Sequence, residues 1–461
     1  MTKPKVQLPV VGAGSLREDG RRNFVHPADV AGRFVKARYV VFALLIGFWA
    51  GLPWVPINGN PALFLDVERR RFFLFGGTFN AQDAWLLFFL FSGVGLSVIV
   101  VTALVGRVWC GWACPQTVFM EGMFRRIERW VEGPRNVRLK RNEGPWSADK
   151  IWRKVVKHVL FALAALFVSH VFLSFFVSMP SLLEMMRRSP AEHPTAFAWM
   201  VGVSVILYGN FAWFREQLCV IICPYGRLQS VLTDRDSLVV GYDAERGEPR
   251  GKASDANAGD CVDCKRCVVV CPTGIDIRNG LQLDCIGCTA CIDACDEVMD
   301  KLKRPRGLVR YDSQNGLEHQ PKKKILRPRL ALYGALALAW GVGAFLAFRT
   351  HTSFEANLVR LRGAPYHLVE EGTIARNLFT LHVVNKASEE AAFAIRGREA
   401  DGVSFRIGEE RVVLGSLESR QVPVYVDVVV EGYAPGDRVV IEIAREGGET
   451  VTAEGALLGP R

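Results

Sequence analysis

The amino-acid sequence predicts a multi-domain α+β membrane protein, in which a five-helix transmembrane bundle carries a cysteine-rich insert and a C-terminal β-sandwich. Five apolar segments are long enough, or nearly so, to cross a bilayer. Eight of the twelve cysteines fall within residues 261–295, and the last part of the chain alternates short β-rich stretches with Gly, Asp and Glu. Half of the 461 residues are hydrophobic, with a mean hydropathy of +0.15, which is too apolar for an ordinary soluble enzyme.

The apolar segments define the predicted membrane bundle. They run over residues 39–55, 85–105, 155–178, 196–214 and 330–348. The first is the shortest, but Trp49 and Trp54 near its far end suit the interface between lipid and water. The fifth is rich in Ala and Gly, as tightly packed membrane helices often are.

Loop charge predicts the orientation of these spans. Residues 1–38 hold eight Lys and Arg and residues 107–154 hold eleven, whereas residues 179–195 hold only Arg187 and Arg188. Because Lys and Arg accumulate in cytoplasmic loops, the N-terminus is expected in the cytoplasm and the C-terminus outside it. The basic run Lys322–Lys324 before the fifth span agrees. The net charge of +10 is therefore assigned to a membrane surface, and no nucleic-acid partner is expected.

The chain is accordingly divided into five parts. The predicted division is 1–38, cytoplasmic; 39–214, spans one to four; 215–329, a cytoplasmic loop with the cysteine-rich insert at about 255–300; 330–348, the fifth span; and 349–461, a periplasmic β-domain. The first 38 residues are polar and basic, so no cleavable signal peptide is expected there.

Eight cysteines follow the spacing of a bacterial two-cluster ferredoxin. They read Cys261-x2-Cys264-x2-Cys267-x3-Cys271 and Cys285-x2-Cys288-x2-Cys291-x3-Cys295. In such runs the fourth ligand of each 4Fe-4S cluster comes from the other motif. The predicted ligand sets are Cys261, Cys264, Cys267 and Cys295 for cluster 1, and Cys271, Cys285, Cys288 and Cys291 for cluster 2. Zinc also binds Cys-x2-Cys pairs, but the doubled pattern favours iron–sulfur clusters.

The C-terminal part predicts an immunoglobulin-like sandwich. Residues 378–384, 421–430 and 438–444 are rich in Val, Ile, Phe and Tyr, with partial period-two alternation. Glycines and acidic residues separate these stretches, and the part contains no cysteine. Short strands at this spacing are typical of a two-sheet sandwich.

The other four cysteines form two copies of a second motif, Cys110-x3-Cys114-Pro and Cys219-x3-Cys223-Pro, each at the end of an apolar span. A spacing of four predicts both sulfurs of a pair on one helix face. If the second and fourth spans are neighbours, the four sulfurs converge. Thiolates select soft ions, so a Cu(I) site is predicted.

Two alternatives for these four cysteines stay open. They could be buried structural cysteines or a dithiol/disulfide couple, and the pairs could also meet across a homodimer interface. His158 and His170 in the third span are further metal-ligand candidates, since ionisable residues inside a membrane often serve function. Arg107, Asn210 and Arg215 flank the pairs as capping or snorkelling residues.

The motifs together resemble those of the FixG/CcoG (RdxA) family of bacterial cytochrome c oxidase accessory proteins. The resemblance rests on Trp109–Thr117, Cys219–Tyr225, Cys271–Arg278 and Cys285–Tyr311, and covers nearly the whole chain. It implies a multi-pass protein of the bacterial inner membrane, related to the NosR and NapH membrane ferredoxins. It also implies an oxidoreductase that reduces Cu(II) to Cu(I) for assembly of a cbb-type oxidase, with copper at Cys110, Cys114, Cys219 and Cys223.

Three functions follow as hypotheses. A cupric reductase would take electrons from a cytoplasmic donor and pass Cu(I) to an export pump or chaperone. A NapH-like protein would instead exchange electrons with membrane quinol, which would involve His158 or His170. A non-catalytic scaffold would dock on the oxidase through its external domain and sense redox state. No nucleotide-binding glycine motif precedes the cysteine-rich insert, so the electron donor is not indicated.

Overall fold

The computed structural model describes residues 24–460, apart from 69, 81–82, 256, 321–326, 350–351, 362 and 388. The chain divides into two compact units. The first comprises the chain up to Trp54 and Phe88–Val342, and the second comprises Val55–Leu87 and Gly343–Arg461. The basic residues predicted to be cytoplasmic within 1–23, and the run Lys322–Lys324, lie outside the described residues.

Among the described residues, five helices are long and apolar enough to cross a membrane. They are Arg33–Trp54, Trp85–Val105, Ala148–Leu173, Pro194–Phe214 and Pro328–Arg349. The first helix begins at Arg33 rather than at residue 39, because hydropathy marks only the apolar part of a helix whose first turns are basic. Large apolar side chains such as Phe88, Val205 and Leu338 are exposed on these helices, as expected for contact with lipid.

Short helical segments connect the spans within the first unit. They are Val108–Trp112, Pro115–Phe119, Arg125–Glu132, Arg135–Glu143, Met179–Arg187 and Pro224–Leu232, with π-helical turns at Met120–Phe124, Asn210–Phe214 and Leu218–Ile222. Isolated π-turns are frequent at functional sites, because they aim side chains that a regular helix would not. One of them contains Cys219.

The cysteine-rich insert is a small α/β domain. Its strands Leu238–Tyr242 and Val309–Ser313 pair antiparallel. Its helices are Ala244–Gly247, Arg266–Val269, Ala290–Lys301 and Gln314–Leu317, with a 3-10 turn at Ile277–Asn279. The core contains the aliphatic side chains Val240, Ile275, Ile277, Ile292, Met299 and Leu308, together with several of the cysteines.

A carboxylate of this insert caps the first membrane helix. Asp293 accepts hydrogen bonds from the backbone N–H groups of Val35 at 2.8 Å and Phe34 at 3.3 Å. These belong to the first turn of the helix, whose N–H groups lack partners within the helix. A Cβ at Gly32 would lie 2.1 Å from Cγ of Asp293, so a larger residue there would displace the capping carboxylate. The capping contact fixes the insert against the start of the first span.

A buried ion network joins several segments of the first unit. Glu128 contacts Arg138 at 2.8 Å and Arg215 at 3.2 Å, and all three side chains are at most 4 % exposed. Arg125 reaches Glu216 at 3.2 Å and donates to the carbonyl of Pro272 at 3.0 Å. The network therefore ties Arg125–Glu132 to the chain that leads into Cys219 and to the insert.

The C-terminal domain is a sandwich of two antiparallel sheets. One sheet has the order Val403–Ile407, Ser419–Val429, Ile374–Asn385 and Phe354–Arg360, with His367–Val369 also paired to Ile374–Asn385. The other has the order Arg411–Leu414, Ala391–Gly397, Arg438–Arg445 and Thr450–Ala456. Side chains of Ile374–Asn385 alternate between buried and part-exposed positions, as expected for one face on a core. Phe354, Leu381, Phe393 and Val424 lie in that core.

The second unit also contains short strands between the first two membrane helices. Leu63–Asp66, Arg71–Leu74 and Gly77–Asn80 form a three-stranded antiparallel sheet, and Pro56–Ile57 pairs with Asn60–Pro61. The predicted fold class, with five apolar helices, a ferredoxin-type insert and an immunoglobulin-like C-terminal domain, is confirmed.

Candidate metal centres

The two cysteine runs of the insert share one backbone pattern. In both runs the second and fourth residues after the first cysteine have a left-handed backbone conformation. They are Asp263 and Lys265 in the first run, and Gly287 and Thr289 in the second. Each left-handed residue turns the chain sharply, so three successive cysteines can face one volume. A short helix follows in both cases, at Arg266–Val269 and at Ala290–Lys301.

Two cavities lie where the predicted ligand sets meet. Cys261, Cys264, Cys267 and Cys295 line one cavity, whose other walls include Val298 and Leu308. A second cavity is lined by Cys271, Cys285, Cys288 and Cys291, together with Cys267, Thr273, Thr289 and apolar residues. The residues present therefore fit two four-thiolate clusters in the crossed arrangement. The assignment of individual ligands stays a prediction that this grouping supports.

The two ligand sets differ in one exposed cysteine. Cys264 of the first set is exposed although Cys261 and Cys267 are buried, whereas in the second set Cys288 is buried and the other three cysteines are half-buried. Burial raises the pKa of Cys267, Cys288 and Cys295 to about 12 in the absence of metal. Binding of iron must therefore displace protons from these thiols.

The membrane-end pairs do not lie on single helix faces, so that expectation was wrong. Cys110 lies in Val108–Trp112, but Cys114 is the N-cap of Pro115–Phe119, with an extended ψ of 127°. Cys223 likewise precedes Pro224–Leu232 with ψ 111°, after Cys219 in the π-turn. The physical reason is the proline, which excludes helical geometry from the residue before it and starts a new helix.

The structure nevertheless brings the four cysteines into one neighbourhood, which we call the four-cysteine site. Burial raises the pKa of Cys219 to about 12, and Cys114, Cys110 and Cys223 each add to that rise. Burial also raises the pKa of Cys110 to about 11, although a hydrogen bond from Gln229 and the positive charge of Arg107 each lower it. Gln229 donates from Nε2 to Sγ of Cys110 at 3.2 Å. No sequence signal marks Gln229, which occupies an ordinary helix position six residues after Cys223.

The four-cysteine site borders the insert. Cys219 lines a cavity together with Glu121, Arg125 and Glu216, and Pro272, Thr273 and Ile286 of the insert line the same cavity. Within the described ranges, no three His, Cys, Asp or Glu side chains converge closely enough to share one ion. A single copper ion would therefore have to draw the thiolates together on binding.

The two histidine candidates lie elsewhere. Nδ1 of His158 contacts the hydroxyl of Tyr208 at 2.8 Å, and Nδ1 of His170 contacts the carbonyl of Leu166, in its own helix, at 2.7 Å. Neither ring belongs to a group of metal-ligating side chains in the part of the chain that the structure describes. Their role as ligands stays a prediction without support from these contacts.

Family models match three parts of the chain. A 4Fe-4S dicluster domain matches residues 214–314, a 4Fe-4S binding domain matches residues 84–136, and the IG-like fold at the C-terminal of FixG matches residues 344–460. Protein RdxA of Cereibacter sphaeroides is 34% identical over 387 residues, which are 81% of this chain and 82% of RdxA. The chain belongs to the FixG/RdxA family.

Two further relatives agree with this family. Protein RdxB of Cereibacter sphaeroides is 33% identical over 86% of this chain and 84% of RdxB. Nitrogen fixation protein FixG of Rhizobium meliloti is 31% identical over 90% of this chain and 88% of FixG. As a member of the FixG/RdxA family, the protein is a membrane-associated iron–sulfur electron-transfer protein.

The match over residues 84–136 bears on the four-cysteine site. This range contains only the cysteines Cys110 and Cys114. A four-iron cluster needs four ligands, so iron could be held there only with help from Cys219 and Cys223. Iron is therefore the competitor to copper that experiments at this site must distinguish.

Proposed function

We propose that this FixG/RdxA-family protein is a cupric reductase, which reduces Cu(II) to Cu(I) at the four-cysteine site with electrons that arrive through the ferredoxin domain. The observation that carries the proposal is the cavity beside Cys219. Cys219 of the four-cysteine site lines it together with Pro272, Thr273 and Ile286, which adjoin the predicted cluster 2 ligands Cys271 and Cys285 in the chain. Substrate in this cavity would contact Cys219 and the residues next to the cluster 2 ligands.

The residues present suit this chemistry. The clusters, when bound, supply single electrons at low potential. Cys110, Cys114, Cys219 and Cys223 offer soft ligands, which favour Cu(I) over Cu(II) and so raise the copper potential. Each Cu(II) takes up one electron, and the electron comes from a one-electron carrier protein in the cytoplasm. Gln229 donates a hydrogen bond to Cys110 and thereby orients one of the four sulfurs.

The cellular setting of this reaction belongs to the same proposal. Loop charge supports a cytoplasmic ferredoxin domain and a periplasmic C-terminal domain in the bacterial inner membrane. Cu(I) formed at the cytoplasmic face would pass to an exporter or chaperone. The acceptor at the end of that route would be a cbb-type cytochrome c oxidase during its assembly.

A single-turnover measurement tests the proposed reaction. Anaerobically purified protein is reduced with dithionite, desalted and mixed with Cu(II) in the presence of a chromogenic Cu(I) chelator. We expect about two Cu(I) per chain, because two clusters each release one electron, and cluster absorbance should return to the oxidised spectrum at the same rate.

Two outcomes would contradict the proposal. Reduced protein that is oxidised by a soluble quinone analogue but not by Cu(II) would favour the quinol-linked function, with the His158–Tyr208 pair as the place to search. Reduced protein that reacts with neither acceptor would favour the scaffold function.

A further inference from the structure

The backbone between Cys110 and Cys114 lies directly against the second cysteine loop of the ferredoxin domain. A Cβ added to Gly111 would be 2.7 Å from the carbonyl oxygen of Ile286, 2.8 Å from that of Gly287 and 2.9 Å from Cα of Cys288. Cβ atoms in proteins do not approach backbone so closely, so Gly111 permits an approach that no other residue would allow. The two cysteine sites are thus connected by a backbone-to-backbone contact.

Two hydrogen bonds hold this contact from either side. Nε of Arg38, on the first span, donates to the carbonyl of Gly111 at 3.0 Å. The hydroxyl of Tyr311, on a strand of the ferredoxin domain, donates to the carbonyl of Gly287 at 3.0 Å. Both carbonyls therefore have hydrogen-bond partners, and these bonds hold the two backbone segments in place within the first unit.

Arg107 makes a second connection between the same sites. Its Nη1 donates to the carbonyls of Leu283 and, at 3.1 Å, of Cys285, while its Nη2 donates to the carbonyl of Gly226 at 3.1 Å. Gly226 is three residues after Cys223, and the Cβ position of Gly226 is 3.0 Å from the carbonyl oxygen of Cys219. One guanidinium thus joins the cluster 2 loop to the second membrane-end pair. A planar fork with five donors can do this, whereas an ammonium cannot.

We propose that Gly111 and Arg107 form the electron-transfer junction between the ferredoxin domain and the four-cysteine site. Electrons would leave the ferredoxin domain from cluster 2. Arg107 acts as a positioning residue whose charge also lies beside Cys285 and Cys110. The cluster 1 ligands, with Cys264 exposed, are then on the side where the cytoplasmic donor delivers electrons. The junction rests on the proposed function, because it specifies how that site receives its electron.

Three variants test the junction in the full-length protein with its clusters. Gly111→Ala forces the two backbones apart, Arg107→Gln removes both the bridge and the charge, and Arg107→Lys removes the bridge but keeps the charge. Gly209→Ala is the matched control, since an added Cβ there would point into open space rather than against another segment. Misplacement of reacting groups by about 1 Å can cost a hundredfold in rate, so we expect single-turnover Cu(I) formation to slow about tenfold or more in all three variants.

Two readouts are independent of copper. Arg107→Gln should lower the midpoint potential of one cluster in an EPR-monitored titration, because a positive charge near Cys285 stabilises the reduced state; Arg107→Lys and Gly209→Ala should not. Gly111→Ala should increase the rate at which Cys110 is alkylated in the cluster-loaded protein. Iron content is measured throughout, so that a misfolded variant is recognised.

The outcomes separate the two proposals. Copper reduction in Gly111→Ala and Arg107→Gln at the rate of Gly209→Ala would overturn the junction and leave the cupric reductase intact. If the wild type never reduces copper, but Arg107→Gln shifts the cluster potential and Gly111→Ala speeds the alkylation of Cys110, the reductase proposal is overturned and the junction stands. Unchanged potential and unchanged alkylation would overturn the junction in either case.

Discussion

Replacing Cys110 and Cys223 with Ser is expected to abolish copper reduction while the ferredoxin clusters stay in place. The double variant removes one thiolate from each membrane-end pair, so neither pair can offer two soft ligands to one ion. Serine hydroxyls are hard and neutral, and they do not stabilise Cu(I). Even loss of groups that only support metal ligands costs about 10- to 100-fold, so we expect a loss beyond about a hundredfold in Cu(I) formation.

Cluster content, measured on the same samples, is the control for this prediction. Absorbance, iron and acid-labile sulfide should match the wild type, because the ferredoxin cysteines are untouched. Thr233→Ser, at the C-cap of Pro224–Leu232, should reduce copper normally. Wild-type rates in the double variant would exclude the four-cysteine site as the place of reduction.

Replacing Glu128 with Gln should strongly destabilise the first unit. Glu128 balances Arg138 and Arg215, and the three side chains are 2 %, 4 % and 2 % exposed. Removing one partner from a buried ion network leaves uncompensated charge and typically costs about 3–5 kcal/mol. The measurement is thermal unfolding of the detergent-solubilised protein. Because Arg215 leads into Cys219, copper affinity should fall as well.

A surface pair provides the matched control, and pH provides a second test. Glu192→Gln breaks a contact with Arg188 in which both side chains are about half exposed, so its effect should be within about 1 kcal/mol. Burial alone would raise the pKa of Glu128, but Arg215, Arg138 and Lys157 lower it to about 2. Its carboxylate therefore stabilises the wild type above pH 4.5, and this contribution is lost as the pH falls toward 2. A flat profile over this range, or equal effects of the two substitutions, would contradict this account of the network.

The features that sequence predicted well are those set by local spacing. The two ferredoxin runs place three cysteines each around one volume because their short loops leave few other conformations. The strands within 378–384 and 438–444 follow from alternation of buried and exposed side chains. The structure extends these strands to Ile374–Asn385 and Arg438–Arg445, because the ends of strands depend on pairing partners that a single segment does not contain.

The features that sequence did not predict depend on docking between distant segments. Gly111 contacts residues 286–288, Asp293 caps a helix that begins at Arg33, and Arg215 pairs with Glu128 across 87 positions of the chain. None of these pairs has a local signal. The cysteine pairs do not lie on single helix faces, and the reason is visible in the sequence. Pro115 and Pro224 each start a new helix directly after the second cysteine of a pair.

Quantitative metal analysis distinguishes copper from iron at the four-cysteine site. Wild type and a variant with Ser at Cys110, Cys114, Cys219 and Cys223 are purified anaerobically, incubated with copper and desalted. We expect about eight iron and eight sulfide per chain in both proteins, as two four-iron clusters require, and copper that is retained by the wild type alone. About twelve iron in the wild type, falling to about eight in the variant with no difference in copper, would contradict this expectation and assign the site to a third cluster.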